Sequence, residues 1–352
     1  MKIDSVEVYK LDMDLVEPYE VAYSRFEKAE NILIRVSSGI LDGWGCAAPD
    51  PHVTGEYADV IFKKAQEEIP FLMNKDPFRR AVLVNDLKKR TPGLFSLWAA
   101  LDMALWDLIG KKADLPVWKI LGGYRKRIKT SITVGICGIE ETMEKAQEFI
   151  DSGFSILKIK GGQDVQLDIE RISFIRRKFD SRIQIRFDAN QGYSIEETKE
   201  FMEKSAPLDI ELLEQPTNKA RPEDLGVVSK NSSMPIMADE SLVSLLDAFH
   251  LVKRGLIDLM NIKIMKVGGL SEAIQIDAVA RAAGVEVMVG CMDESAIGIA
   301  AGLHFALSRK NIRYADLDGH IGLISDPAKD CVILDKGWLY PSSLPGFGWK
   351  GL

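Results

Sequence analysis

Lys158 and Lys160 flank one apolar residue in Ile156-Leu157-Lys158-Ile159-Lys160, and Asn261 and Lys263 repeat the pattern in Leu259-Met260-Asn261-Ile262-Lys263-Ile264. Between them come three acids, Asp188, Glu214 and Asp239, spaced 26 and 25 residues apart, with Lys263 another 24 residues on. Alternation along a strand places Lys158 and Lys160 on one face and Leu157 and Ile159 on the other. The same parity pairs Asn261 with Lys263 and sends Lys266 to the periphery. A free lysine, with a pKa of about 10.4, is a poor base at neutral pH. A neighbouring ammonium and a divalent cation both disfavour its charged form. Lys158 beside Lys160 therefore reads as a device for making Lys160 a general base. With Lys263 across from it, two proton-transfer groups could face opposite sides of one carbon, which is the logic of racemisation or epimerisation. Three carboxylates on neighbouring strands suit a hard cation with oxygen ligands, Mg2+ with Mn2+ as a substitute. Such an ion would hold the enediolate formed when a carboxylate substrate loses its α-proton. The competing reading is that these acids only pair with the lysines. Asp188-Ala189-Asn190-Gln191-Gly192, Glu214-Gln215-Pro216 and Asp239-Glu240-Ser241 each set the acid just before a polar, loop-forming cluster, where chemistry concentrates.

The elements that must carry these residues recur. Strand-like runs are predicted at Lys129–Gly135, Ile156–Lys160, Ile183–Asp188, Ile210–Glu214, Pro235–Glu240, Leu259–Ile264, Glu286–Cys291 and Tyr314–Asp318. Helical runs between them include Glu140–Ile150, Leu167–Phe179, Ile195–Ser205, Leu242–Arg254 and Leu270–Ala283. Eight β-α units predict a closed parallel barrel, with an open doubly wound sheet as the alternative, and ionisable groups at strand C-termini sit where barrel enzymes work. No G-x-G-x-x-G follows the first strand, which argues against dinucleotide binding. Upstream, Ile3–Tyr9 and Asn31–Val36 alternate as strands, with a turn at Ser38-Gly39. A helix through Leu94, Trp98, Leu101, Leu105 and Leu108 is predicted to stop at Gly110-Lys111-Lys112. Strands followed by helices make an α+β unit.

The 352 residues predict about two domains. A 46% hydrophobic, 28% charged composition is that of a globular protein. With 45 basic and 52 acidic residues the net charge is −7, and no long basic run exists, so nucleic acid and anionic membranes are poor partners. No apolar stretch approaches a membrane span, and Met1–Val6 lacks a signal core, so a cytoplasmic location is expected. Cys46, Cys137, Cys291 and Cys331 stand far apart, indicating neither zinc nor disulfides but buried small side chains.

The chain resembles the enolase superfamily, specifically its muconate-lactonising subgroup. The resemblance runs end to end through Lys158-Ile159-Lys160, Asp188-Ala189-Asn190, Glu214-Gln215-Pro216, Asp239-Glu240-Ser241 and Asn261 to Gly269, and in the N-terminal unit through Ala100–Asp107 and Leu121-Gly122-Gly123. It implies an α/β fold: an α+β capping domain over residues 1–122, completed by 325–352, and a modified TIM barrel, (β/α)7β, over 123–324. It also implies Mg2+ at Asp188, Glu214 and Asp239, with Lys160 and Lys263 as opposed acid/base catalysts and Lys158 assisting at the substrate carboxylate.

Asp316-Leu317-Asp318-Gly319 resembles the D-x-D motif of dipeptide epimerases. Strand alternation turns both acids to one side, where they suit a substrate ammonium; the bland alternative is an acid capping the next turn. The expected partner is a small dipeptide, and a homo-oligomer is expected. Asn190 in the Asp-x-Asn motif, and Asp293 and Asp50 in loops, are candidate substrate contacts, the last two with solvated loop charge as the alternative. Glutamate-preferring relatives carry an arginine on the loop where this chain has Ser24, with Arg25 one place later. N-acylamino acid racemase, o-succinylbenzoate synthase and cycloisomerase activities use the same scaffold but have no use for Asp316 and Asp318. A pyridoxal-phosphate barrel would want a lysine at the end of the first strand, and Lys129 begins it. A non-catalytic barrel gives inward lysines and acids no purpose. His52, His250, His304 and His320 fall on no inward strand end, so a histidine base is not expected.

Overall fold

A computed structural model describes residues 1–22, 24–230 and 232–352, apart from the Ser24 side chain. The chain opens with an antiparallel sheet, β1 (Ser5–Val21), β2 (Ser24–Ser38) and β3 (Leu41–Ala47), ordered β1-β2-β3. Gly39 makes the predicted turn at φ 62°. The first two strands run much further than their alternating segments, because a hairpin arm with an exposed face tolerates polar residues. The arm crosses to the barrel rim, where Val16 N donates to Gly322 O at 2.8 Å and Ile136 N to Glu20 O at 2.9 Å. Helices α1 (Ala58–Glu68), α2 (Arg80–Arg90) and α3 (Phe95–Lys112) cover the sheet, with Leu97, Leu101, Leu105 and Leu108 packed in one core with Ile32, Ile34 and Val36. The helix ends at Lys112, within the predicted Gly110-Lys111-Lys112 stop, with Gly110 inside its last turn. That glycine serves close packing: a Cβ there would lie 2.7 Å from the Cα of Gly346.

After α4 (Val117–Ile120) and β4 (Ile128–Lys129), eight parallel strands follow: β5 (Ile132–Val134), β6 (Ile156–Lys160), β7 (Gln184–Asp188), β8 (Ile210–Glu214), β9 (Ile236–Ala238), β10 (Leu259–Lys263), β11 (Glu286–Gly290) and β12 (Ile312–Asp316). Helices α5 (Ile139–Asp151), α6 (Val165–Lys178), α7 (Ile195–Ser205), α8 (Glu223–Ser229), α9 (Leu245–Lys253), α10 (Ile264–Val267), α11 (Leu270–Ala282) and α12 (Ala296–Ser308) fill the intervals. The strands pair in chain order, and Ser131 N closes the ring by donating to Ala315 O at 3.2 Å. Leu212, Met237, Leu259 and Met288, with Tyr314 against them, share the parity of the strand-end polar residues and form a separate apolar cluster. A packed floor therefore lies beneath the polar rim.

Three strand ends differ from expectation. The first barrel strand is Ile132–Val134, because Ile128–Lys129 pairs instead with the C-terminal hairpin β13 (Val332–Asp335) and β14 (Trp338–Pro341). Asp239 follows β9 rather than ending it, and Asp318 lies two residues past β12. Beyond β14 the chain returns to α3, where Phe347 N donates to Asp107 Oδ1 at 2.7 Å. The four cysteines are free. Among the described residues no helix is long and apolar enough to cross a membrane.

Candidate active site

Parallel pairing in register sets Lys160 beside Asp188 and Asp188 beside Glu214 at one end of the barrel. Lys158 Nζ lies 3.0 Å from Asp188 Oδ2, 2.8 Å from Glu214 Oε2 and 2.8 Å from Asp316 Oδ2. Lys160 Nζ lies 2.8 Å from Asp188 Oδ2. On β10, four strands away in a ring of eight, Lys263 Nζ lies 2.8 Å from Asp239 Oδ2. The two lysines therefore face each other across the barrel, with Asp188, Glu214 and Asp239 between them on one side and Asp316 on the other.

Lys266, expected at the periphery, is fully buried. Its ammonium donates to Asp239 Oδ1, to Asp239 O at 2.5 Å and to Asn261 O at 3.0 Å. Parity failed because the strand ends at Lys263 and the chain turns helical over Ile264–Val267, carrying the side chain back inward. Asn261 points inward as expected, and its Nδ2 donates to Glu214 Oε1 at 2.6 Å.

The charges set one another. Burial pushes the Asp188 carboxyl up, but Lys158 and Lys160 outweigh it and hold it at about 2. Burial and the Asp188 charge push Glu214 up to about 8, against Lys158. Asp239 is held well below the usual carboxylate range: Lys263 and Lys266 overcome its burial. Burial favours neutral amines at Lys158 and Lys263, yet the surrounding acids, Asp188 first for the one and Asp239 for the other, keep both firmly protonated. At Lys158 and Lys263 the surrounding acids thus outweigh burial.

Oxygens of Asp188, Glu214 and Asp239 all lie within 4.8 Å of one another, and all three residues are buried. Glu214 Oε2 and Asp239 Oδ2 are met by the Lys158 and Lys263 ammoniums, each at 2.8 Å, and among the described residues by no hydrogen bond beyond those ion pairs. Three buried carboxylates, two of them offering an oxygen held by an ammonium alone, are the hard donor set that fits Mg2+.

The remaining predicted residues divide. A cavity of about 330 Å³ over the barrel mouth is lined by Lys158, Lys160, Lys263, Asn190, Asp316 and Asp318, and also by Asp50 and Asp293. Asp316 Oδ1 accepts from Ser131 Oγ at 2.6 Å, and Asp318 Oδ2 from Thr133 N at 2.7 Å. Asn190 Nδ2 donates to Glu240 Oε1 at 3.3 Å. Asp50 Oδ1 also organises its own loop, accepting from His52 N at 2.7 Å. Arg25 is not brought in: its side chain is exposed and lies 3.5 Å from Glu27. The Ser24 side chain lies outside the described residues. Sequence reasoning missed Tyr19, which lines the cavity and donates to Asp293 Oδ2 at 2.7 Å. No local pattern could reveal it, because the contact joins the hairpin arm to the loop after β11, 274 residues away in the chain.

Comparison with known proteins agrees in both halves. The family model "Mandelate racemase / muconate lactonizing enzyme, N-terminal domain" matches residues 5–122, and "Enolase C-terminal domain-like" matches 141–350. The chain is 37% identical to the L-Lys-D/L-Arg epimerase of Desulforapulum autotrophicum, covering 99% of each. It superposes on the substrate-liganded L-Ala-D/L-Glu epimerase of Bacillus subtilis with a TM-score of 0.97 at 36% identity, covering 100% of this chain and 99% of that one. Against the dipeptide epimerase of Enterococcus faecalis complexed with Mg and L-Leu-L-Tyr the TM-score is 0.96 at 35% identity, covering 99% of each.

Proposed function

The chain belongs to the enolase superfamily, in its muconate-lactonising subgroup, and from that premise we propose that it is a Mg2+-dependent dipeptide epimerase, inverting the α-carbon of the C-terminal residue. The observation that carries this reading is the opposition of Lys160 and Lys263 across one cavity whose far wall holds Asp316 and Asp318. The three relatives compared share the reaction named for them while differing in the side chains of their dipeptides.

Asp188, Glu214 and Asp239 would hold the metal. Bound there, Mg2+ supplies electrophilic stabilisation to the substrate carboxylate as it gains charge. Lys158, buried among the same acids, keeps a fixed positive charge at that oxygen without reorganising during the reaction. Lys160 removes the α-proton from one face, and Lys263 returns a proton to the other; the roles exchange in the reverse direction. Asp316 and Asp318 take the substrate's N-terminal ammonium, which N-acyl substrates and cyclisation substrates lack. The hairpin arm, bonded to the rim at Gly322 and Ile136, covers the mouth and limits solvent access to the transferred proton.

The test is α-proton exchange. L,L-dipeptides incubated in D2O with enzyme and Mg2+ should gain one deuterium at the C-terminal α-carbon and a new diastereomer, and excess chelator should stop both. Full activity in chelator contradicts the metal assignment. Faster turnover of N-acyl amino acids than of any free dipeptide replaces the dipeptide reading with that of an acylamino acid racemase.

A further inference from the structure

On the epimerase reading, three attachment points of the substrate are spoken for. The carboxylate lies against the acids of β7–β9, the α-carbon between Lys160 and Lys263, and the ammonium at Asp316 and Asp318. The C-terminal side chain must leave that carbon toward the hairpin arm and the loop after β11. Beside apolar residues of the arm and loop such as Val21 and Met292, the cavity wall there includes five residues that a side chain would meet: Tyr19, Phe26, Asp50, Val53 and Asp293.

Two of these five are acids, and each is engaged mainly through one oxygen. Tyr19 meets Asp293 at Oδ2, and the bonds from His52 N at 2.7 Å and Val53 N at 3.0 Å both fall on Asp50 Oδ1. Among the described residues no cation forms an ion pair with either; Lys160 acts on Asp293 only through its field, while its ammonium lies 2.8 Å from Asp188. The cavity's basic side chains are Lys145, Lys158, Lys160 and Lys263, and among the described residues no arginine lines it. Lys145 sits 3.3 Å from Glu17 and 3.2 Å from Glu141, and the other three face carboxylates of the reacting centre. A side-chain carboxylate placed here would meet two like charges and no partner, whereas an ammonium or guanidinium would meet two acceptors. Burial pushes Asp293 up to about 6 against the Tyr19 bond, and the charges of Asp318 and Asp50 add to that push. The mutual repulsion of these acids is what a cation relieves.

We propose that this enzyme's dipeptides carry a cationic C-terminal residue, lysine or arginine, read by Asp293 together with Asp50. Phe26 and Val53 flank the path and suit the methylene stem of such a side chain.

The experiment compares L-Leu-L-Lys, L-Leu-L-Leu and L-Leu-L-Glu by α-proton exchange in D2O, in wild type and in Asp293→Asn. Expected are a kcat/KM for the lysine dipeptide at least about a hundred-fold above that for the glutamate one, and a lysine-to-leucine ratio that falls roughly ten- to hundred-fold in Asp293→Asn. If the glutamate or leucine dipeptide matches the lysine one, the substrate class is overturned while the epimerase reading stands. If none of the three exchanges, both fall. Should Asp293→Asn fold poorly, the wild-type ratio decides alone.

Discussion

Asp318→Asn separates recognition of the ammonium from everything else in the site. Both oxygens of its neighbour Asp316 are committed, Oδ2 to Lys158 at 2.8 Å and Oδ1 to Ser131 at 2.6 Å. Asp318 accepts from Thr133 N through Oδ2, while among the described residues Oδ1 has only the Cys291 sulfur at 3.9 Å. Burial, then the Asp316 charge, push its carboxyl up to about 6, so at pH 7 it is mostly ionised and poorly compensated. An incoming ammonium supplies the missing partner. A charge-assisted hydrogen bond contributes about 1.5–3 kcal/mol, so its loss should lower kcat/KM roughly ten- to hundred-fold. Asparagine keeps an acceptor for Thr133 N, which preserves the loop. The assay is a cycle: kcat/KM for a free dipeptide and its N-acetyl derivative, each with wild type and Asp318→Asn. The variant should lose activity on the free dipeptide and little further on the acetylated one. Protonation below pH 6 neutralises Asp318, so wild-type kcat/KM should fall as the pH drops through 6, and the variant should show a shallower limb when the dipeptide's C-terminal side chain is neutral and makes no use of Asp293. Equal losses on both substrates would refute the ammonium contact.

Two further expectations concern buried charge. Lys266→Met removes one of the two ammonium groups facing Asp239 and should cost about 3–5 kcal/mol in urea denaturation without metal, part of it recovered in Mg2+; an unchanged midpoint would mean that Lys266 does not hold Asp239. His304 is fully buried and burial pushes it down to about 3, so between that value and the ordinary 6.5 the unfolded chain binds the extra proton and stability is lost as the pH is lowered. The contribution is about 2 kcal/mol between pH 7 and pH 5. His304→Gln should reduce that slope, and a slope identical to wild type would contradict the argument.

What could be read from the chain alone follows from where a simple period holds. The barrel strands are covered on both faces, so short apolar runs at regular spacing marked them, and parity within Ile156–Lys160 and Leu259–Lys263 placed Lys158, Lys160, Asn261 and Lys263 correctly inward. The same parity misplaced Lys266, because it was carried one turn past the strand. Helix α12 carries no amphipathic signal: every residue from Ala296 to Ser308 is buried, so it has no polar face to reveal its period. Asp50 and Asp293 stood out as loop acids and do line the cavity, but Tyr19, which meets Asp293, depends on a hairpin arm reaching the barrel, a contact between distant segments with no local signature. The displaced Arg25 illustrates the same point, since only the fold shows that it pairs with Glu27 outside the cavity.

The central claim is that two lysines work on opposite faces of one carbon, and single-turnover exchange in D2O with each lysine removed tests it most directly. In Lys160→Ala, one epimer of the dipeptide should stop exchanging its α-proton while the other still exchanges through Lys263; Lys263→Ala should show the mirror pattern, and neither variant should interconvert the epimers. If Lys263→Ala epimerises at close to the wild-type rate, a single base serves both faces and the two-lysine mechanism is wrong.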